Sequence, residues 1–107
     1  MVTEKITIDQ KVEGEQVDIK ISGRIDTQTS PKFQNRVNEI FDLEINKVVI
    51  DLQGVEYISS AGLRVFLYIK KRLEIKNPEI YLEVKNVIPS VKEIFDITGF
   101  SDFLNIV

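Results

Sequence analysis

The feature that most constrains the fold is an apolar strand leading directly into a helix within residues 47 to 67, KVVIDLQGVEYISSAGLRVFL. Its first part, residues 47 to 52, is mostly β-branched or large and apolar. A strand covered on both faces has this composition, so we predict a central strand here. Gln53 and Gly54 then break the run, and residues 55 to 58 are expected to form an extended or turning link.

Ser59 and Ser60 precede apolar residues at helical spacing, and serine in this position is typical of a helix N-terminus. We predict a helix from about Ser60 to Glu74, in which either serine can be the cap. Unpaired backbone N–H groups and the helix dipole would stabilise a phosphate at this end. Neither nucleotide-binding glycine motif occurs around Gly54 and Gly62, which favours an anion formed on the serine itself.

The composition excludes several classes of function. With 107 residues, the chain suits one core, and we assign residues 1 to 107 to a single domain. The absence of cysteine and histidine rules out thiol nucleophiles, disulfides, Cys/His zinc sites and imidazole catalysis. A net charge of −3 offers no basic footprint for nucleic acid. Without a leader or a long apolar run, we expect a cytoplasmic protein with no membrane span, cofactor or metal.

Alternating apolar residues on both sides of a turn at residues 12 to 15 predict a β-hairpin with one buried face. The inward residues of this hairpin are Ile6, Ile8, Val17, Ile19 and Ile21. The second strand is expected to end at residues 23 to 26. A helix follows, with Ser30 as N-cap and Pro31 at its first position, and residues 43 to 46 end it. Its apolar residues at helical spacing are Phe33, Val37, Ile40 and Phe41.

The last third of the chain repeats the alternation of strand and helix. Asn77 and Pro78 interrupt the chain, and residues 80 to 84 alternate as a strand. Pro89 then opens a helix, which Gly99 is expected to end as a left-handed C-cap. Residues 103 to 107 are predicted to form a closing strand.

The element order β-β-α-β-α-β-α-β predicts an α/β fold. We expect a mixed, mostly parallel sheet with an antiparallel N-terminal edge strand and helices packed against it. Asp26 and Ser60 each follow a strand running in the same direction. They are therefore expected on the same edge of the sheet, where open α/β folds place functional loops.

Three segments together resemble the STAS domain, and specifically the bacterial anti-sigma factor antagonists. They are SGRID at residues 22 to 26, VVIDLQGVEYISSAGLRVFL at residues 48 to 67 and NVIPSVKEIFDITGF at residues 86 to 100. The resemblance spans nearly the whole chain. It implies the STAS fold and a binding switch that is not an enzyme. The unphosphorylated form would bind an anti-sigma factor that is also a serine kinase, thereby freeing a sigma factor, and a PP2C-type phosphatase would reverse the phosphorylation that releases it.

In that family the helix usually starts Asp-Ser-(Ser/Thr/Ala)-Gly-Leu, and its first serine is the phosphorylation site. Alignment on Gly62 and Leu63 puts this serine at Ser60. The chain departs from the pattern at Ser59, where the family has an acidic residue, and at Arg64, where it usually has glycine.

A helical wheel separates two faces of the predicted helix. The face expected to pack on the sheet contains Gly62, Val65, Phe66, Ile69 and Leu73. Ser60, Arg64, Leu67 and Lys71 should face outward, with Leu63 on their flank. An exposed leucine beside two cations suits docking to an acidic, partly apolar partner.

By resemblance, Asp26 matches an acidic residue near the kinase contact and phosphorylation site. The expected partner-binding residues are Asp26, Ser59, Ser60, Leu63, Arg64, Leu67 and Lys71. We expect the free protein to be a monomer.

Alternatives remain at each of these positions. Ser60 could act only as an N-cap, and Asp26 could only cap or charge-complement the first helix. The chain could also be a constitutive STAS scaffold in a stress-signalling or lipid-transport complex, which Ser59 mildly favours. A hydrolase or transferase using Ser60 with Asp26 and Asp51 would lack a base for the serine.

Overall fold

The structure is a computed structural model that describes residues 5 to 107. Its elements are β1 (Ile6–Glu13), β2 (Gln16–Ile25), α1 (Ser30–Asn38), β3 (Lys47–Ile58), α2 (Ser60–Lys76), β4 (Tyr81–Lys85), α3 (Pro89–Ile97) and β5 (Asn105–Ile106). A single 3₁₀ turn at Phe100–Asp102 separates α3 from β5. The predicted element order is confirmed. Within this part of the chain, no helix has the length and apolar composition needed to cross a membrane.

The five strands form one sheet in the order β1-β2-β3-β4-β5. The edge strand β1 pairs with β2 in antiparallel fashion, and every other pairing is parallel. Ile19, Ile50 and Val84 are directly opposite one another on β2, β3 and β4, and all three are fully buried. The mixed sheet with an antiparallel N-terminal edge is therefore as the sequence predicts.

Three phenylalanines link the helices into one layer on the sheet. The ring of Phe66 on α2 lies 5.4 Å from Phe33 on α1 and 5.4 Å from Phe95 on α3, edge to face in both cases. All three rings are fully buried. Because α2 contacts a helix on each side, it is the centre of the layer, and the predicted apolar stripes are confirmed as core.

The opposite face of the sheet shows that one expectation about β3 was wrong. Directly paired residues across β1 to β4 form a row of alternating charge, Asp9, Lys20, Asp51 and Lys85. A layer of helices cannot cover such a row without desolvating it, so β3 is covered by helices on one face only. Val49 is nevertheless 3% exposed among these long polar side chains, which explains the apolar run.

Two strands continue through glycines at which the sequence pattern predicted them to end. β3 passes through Gly54 and runs to Ile58. Glycine is needed at this position because a Cβ would lie 2.4 Å from the Cβ of Ser22 on β2. β2 likewise passes through Gly23, whose φ of +104° and close approach to the backbone of Lys5 require glycine. The register of β2 and β3 shifts at both places. These glycines mark close strand contacts and irregular pairing, whereas the sequence pattern suggested strand ends.

The ends of α1 also differ from the prediction. Thr29 is the N-cap residue, and Ser30 is the first helical residue. The helix stops at Asn38, and the buried residues Ile40 and Phe41 lie in the turns that follow. Gly99 does adopt the predicted left-handed conformation, with φ of +82°, directly after the C-cap of α3. The closing strand is shorter than predicted.

Candidate functional site

The N-terminus of α2 is fixed against the ends of two parallel strands. The Ser59 N–H donates to the Ile25 carbonyl of β2 at 2.8 Å. Gly62 is buried, and a Cβ there would lie 2.6 Å from Ile25 Cγ2 and 2.8 Å from Ile58 Cγ1. Glycine therefore permits the helix to start in contact with the sheet. Asp26 and Ser60 directly follow the two residues joined by this hydrogen bond, so they share one sheet edge, as predicted.

Ser59 and Ser60 have different roles at the start of α2. Ser59 is the N-cap, in extended conformation, and its Oγ accepts a long hydrogen bond of 3.4 Å from the Gly62 N–H. Ser60 is the first helical residue and is exposed. Its hydroxyl makes no hydrogen bond to any other described residue. The capping role thus belongs to Ser59, and the Ser60 hydroxyl is accessible to solvent at the positive end of the helix.

Asp26 organises the loop between β2 and α1. Its Oδ1 accepts hydrogen bonds from the Gln28 N–H at 2.9 Å and the Thr29 N–H at 3.0 Å. The other carboxylate oxygen lies 3.7 Å from Nε of Arg24. The hydrogen bond from the Thr29 backbone, supported by that from Gln28, holds the pKa of Asp26 below its ordinary value. Asp26 therefore carries a stable negative charge and has a clear structural role in the approach to α1.

The outward face of α2 contains the four predicted residues, but Leu63 on its flank is buried. Ser60, Arg64 and Lys71 are exposed, and Leu67 is partly exposed. Leu63, expected on the flank of this face, is only 7% exposed and belongs to the core. Leu67 is therefore the apolar residue available on this face.

The exposed side of α2 is positively charged in a protein whose net charge is −3. The helix contains five cationic residues, Arg64, Lys70, Lys71, Arg72 and Lys76, against one carboxylate, Glu74. Lys70 lies 3.5 Å from Glu74 and is partly neutralised by it. Arg64 forms no ion pair with another described residue. This helix face is accordingly suited to an acidic partner surface.

The structure adds a groove that sequence reasoning missed. It lies between the N-terminal halves of α1 and α2, has a volume of about 340 Å³, and reaches Arg64 and Ala61 on one side and Gln34 and Asn35 on the other. No described carboxylate lines it. In the sequence, Gln34 and Asn35 are polar residues of α1 that no pattern distinguishes from others. Only the packing of the two helices brings them beside Arg64.

Sequence reasoning also missed a pair of residues next to Asp26. Arg24 and Tyr57 are directly opposite each other on β2 and β3, and the guanidinium of Arg24 lies 4.4 Å from the centre of the Tyr57 ring. Tyr57 is 38% exposed. The register shifts between the two strands prevented this pairing from being predicted. Arginine and tyrosine are common in protein interfaces, so this pair extends the candidate surface beyond α2.

Fold and site together define a small α/β domain whose candidate site residues collect at one edge of the sheet and along its central helix. Residues 7–107 match the STAS domain family, and the chain belongs to this family. The chain is 35% identical over 97 residues to BtrV of Bordetella bronchiseptica, named as an anti-sigma factor antagonist. That alignment covers 90% of this chain and 79% of BtrV.

Solved structures show the same fold. An anti-sigma factor antagonist from Mycobacterium paratuberculosis superposes with a TM-score of 0.85 at 23% identity, covering 94% of this chain and 84% of that chain. SpoIIAA in its unphosphorylated form gives a TM-score of 0.79 at 16% identity, covering 94% of this chain and 88% of that one. The phosphorylated form of the Bacillus SpoIIAA gives 0.71 at 16% identity, with 94% and 91% covered. At these identities the likeness concerns the fold.

Proposed function

We propose that this protein is an anti-sigma factor antagonist controlled by phosphorylation at Ser60. In its unphosphorylated form it binds an anti-sigma factor that is also a serine kinase, and a sigma factor is freed as a result. Phosphorylation of Ser60 ends this binding. The observation that carries the proposal is the exposed Ser60 hydroxyl at the start of α2, which is unengaged because Ser59 caps the helix.

Two comparisons support this role. BtrV, which shares 35% identity with this chain, carries the name of an anti-sigma factor antagonist. SpoIIAA, whose fold this chain shares, exists in unphosphorylated and phosphorylated forms. Partners of this kind act on transcription, which places the proposed function in the cytoplasm. The free protein would act as a monomer, with the α2 face open to its partner.

The proposed modification is a phosphoryl transfer from a nucleoside triphosphate. A bond forms between Ser60 Oγ and the γ-phosphorus, the bond to the departing nucleoside diphosphate breaks, and the hydroxyl proton passes to a base of the kinase. A PP2C-type phosphatase would restore the hydroxyl by hydrolysing the phosphate ester. This chain supplies the acceptor oxygen and its orientation, while the kinase and phosphatase supply the catalytic groups.

Phosphorylation would act mainly at the interface. It adds about 1.5 to 2 negative charges at pH 7. The N-terminus of α2 tolerates this charge, because its dipole is favourable and its first turn contains no acidic residue. An acidic partner, in contrast, would meet a dianion at the N-terminal end of a positively charged face and would have to desolvate it. The switch therefore needs no refolding of the domain.

A kinase assay tests the proposal. The protein is mixed with ATP and each histidine-kinase-type anti-sigma factor encoded in the same genome, and intact-mass and peptide spectra locate any added phosphate. We expect one phosphate on Ser60, none on Ser60→Ala, and continued phosphorylation of the matched Ser59→Ala variant. Binding should be lost in Ser60→Asp. The absence of phosphate on Ser60, combined with unchanged binding of Ser60→Asp, would refute the proposal.

The second candidate is a STAS scaffold that binds constitutively within a stress-signalling or lipid-transport assembly. Ser59 favours it, because the family usually has an acidic residue at this position beside the phosphorylated serine. The same face of α2 would then be used without modification. Binding that persists in Ser60→Asp but fails after charge reversal at Arg64 and Lys71 would indicate this function.

A further inference from the structure

Arg64 differs from the other arginines of this protein in having no partner among residues 5 to 107. The chain contains four arginines. Arg36 pairs with Glu39 at 3.0 Å, Arg72 donates to the Tyr68 hydroxyl at 2.8 Å, and Arg24 covers the Tyr57 ring. Arg64 makes no hydrogen bond, ion pair or ring contact with the described residues. Its guanidinium is available for an external group.

The position of Arg64 puts two possible partners within its reach. It follows Ser60 by four residues on the same helix, so the two side chains occupy adjacent positions on one face, with Cβ atoms about 5 to 6 Å apart. Long helical side chains lean toward the N-terminus, which directs Arg64 toward Ser60. Arg64 also lines the groove between α1 and α2 together with Gln34 and Asn35.

The lining of this groove indicates what it can bind. It combines one guanidinium with two side-chain amides, and no described carboxylate contributes to it. A guanidinium and amide N–H groups are donors that match the oxygens of a carboxylate. The small residue Ala61 leaves room beside them. An acidic side chain complements this groove in both charge and hydrogen bonding.

We propose that the groove between α1 and α2 binds a carboxylate side chain of the anti-sigma factor through Arg64, and that phosphorylated Ser60 competes for the same guanidinium. The proposal rests on the function proposed above and adds the group that reads the modification. Phosphorylation then acts twice. It places negative charge at the interface, and it withdraws the cation that held the partner's carboxylate.

Lys71 provides a matched control for this competition. It is exposed on the same face of α2 and carries the same charge as Arg64. It lies eleven residues beyond Ser60, or about 16 Å along the helix axis. That distance exceeds the screening length of about 8 Å at physiological salt. Lys71 can attract an acidic partner, but it cannot sense a phosphate on Ser60.

The first experiment requires no partner. Phosphoserine is incorporated at position 60 during translation, and the phosphorus resonance is followed through a pH titration. A nearby guanidinium favours the dianion, so the titration midpoint of the wild type should be lower than that of Arg64→Ala by about 0.2 to 0.7 pH units. Lys71→Ala should match the wild type, and Arg64→Lys should restore part of the shift. Equal midpoints in wild type and Arg64→Ala would overturn the competition.

The second experiment measures binding to the anti-sigma factor recovered in the kinase assay. Arg64→Ala should weaken binding of the unphosphorylated form about tenfold. It should also reduce the ratio of dissociation constants between phosphorylated and unphosphorylated forms. Lys71→Ala should leave that ratio unchanged. Unchanged binding of unphosphorylated Arg64→Ala would overturn the role of the groove.

A charge placed in the groove offers a sharper test. Asn35→Asp adds a carboxylate to the lining while keeping the size of the side chain, and it should weaken binding of the unphosphorylated form. Gln53→Glu makes the same change of charge on β3, outside the groove, and should have little effect. Equal effects of the two variants would refute a specific groove. If no anti-sigma factor binds, the proposed function fails, whereas the phosphorus titration still decides whether Arg64 contacts the phosphate.

Discussion

The two helices that begin at the sheet edge of Asp26 and Ser60 differ in the hydrogen bonds that precede their first turns. The approach to α1 is closed by hydrogen bonds, because Asp26 accepts from the backbone of Gln28 and Thr29, and the Thr29 hydroxyl donates to the Arg24 carbonyl at 2.7 Å. At the start of α2, the one side-chain hydrogen bond among the described residues is the 3.4 Å bond from the Gly62 N–H to Ser59 Oγ. Neither helix has an acidic residue in its first turn, but α1 is preceded by Asp26.

This difference shows how one domain can combine a stable loop with a site that responds to modification. At α1 the favourable negative charge is already present as the Asp26 carboxylate. At the start of α2 no such charge is present, because Ser59 and Ser60 are both neutral and the first turn contains no acidic residue. A phosphate on Ser60 would supply there the charge that Asp26 supplies to α1.

The largest loss of stability is expected from Gly62→Ala, which would displace the N-terminus of α2 from the strand that leads to α1. The new Cβ would lie 2.6 Å from Ile25 Cγ2 and 3.1 Å from the Ile25 carbonyl oxygen, so α2 must move away from β2. We expect a loss of about 2 to 3 kcal/mol in the free energy of unfolding, measured by urea denaturation. Gly14→Ala meets no atom within 4 Å, so its loss comes from the left-handed φ of +59° alone and is expected to be about 1 to 2 kcal/mol. Unchanged stability of Gly62→Ala, where no positive φ is involved, would contradict a packing role for Gly62.

Removal of a side-chain hydroxyl should cost more stability at the start of α1 than at the start of α2. Thr29→Val removes a hydroxyl that accepts from the Asp26 N–H at 2.9 Å and donates to Arg24, in a residue only 6% exposed. We expect a loss of about 1 to 2 kcal/mol. Ser59→Ala removes one long bond and should cost about 0.5 kcal/mol. The reverse order, in urea denaturation of both variants, would invalidate the contrast.

Low pH should reduce the stability that Asp26 contributes in the loop before α1. Since the pKa of this carboxyl is lowered in the folded state by hydrogen bonds from Thr29 and Gln28, the ionised form stabilises the fold. This contribution is complete above the ordinary value of 3.8 and is lost as the pH falls through the lower folded value. The stability difference between wild type and Asp26→Asn should therefore shrink below about pH 4. Asp42→Asn, at an exposed position, is the control, and a pH-independent difference for Asp26→Asn would argue against this account.

The smallest expected effect is a gain in stability at the start of α2. Ser60→Asp places a negative charge in the first turn of α2 and should stabilise the protein by about 0.3 to 1 kcal/mol. Thr27→Asp adds the same charge one residue after Asp26, where a carboxylate already exists, and should give no gain. Amide shift changes in Ser60→Asp should stay within the first turns of α2 and the loop before α1. Changes spread through the sheet would show that the charge alters the fold.

Sequence patterns predicted much of the fold, and the errors share a cause. Alternation identified Ile19 and Val84 as inward residues, because strand periodicity depends only on the local chain. Gly54 was misjudged because its role depends on the distance to Ser22 on another strand. Leu63 was misjudged because its burial, with 7% of its surface exposed, depends on the tertiary packing of α2, which a helical wheel does not contain. Local patterns do not contain these distances.

For the candidate site, the sequence by itself determined which groups are present: Ser60 at a helix start, Asp26 after a parallel strand, and cations along α2. Hydrogen-bonding capacity, charge and periodicity are properties of the residues and their spacing. The tertiary structure alone decided that Ser59 takes the cap, that Leu63 is buried and that Gln34 and Asn35 lie beside Arg64. These outcomes depend on how closely separate elements pack, which is set by the shapes of side chains distant in the sequence.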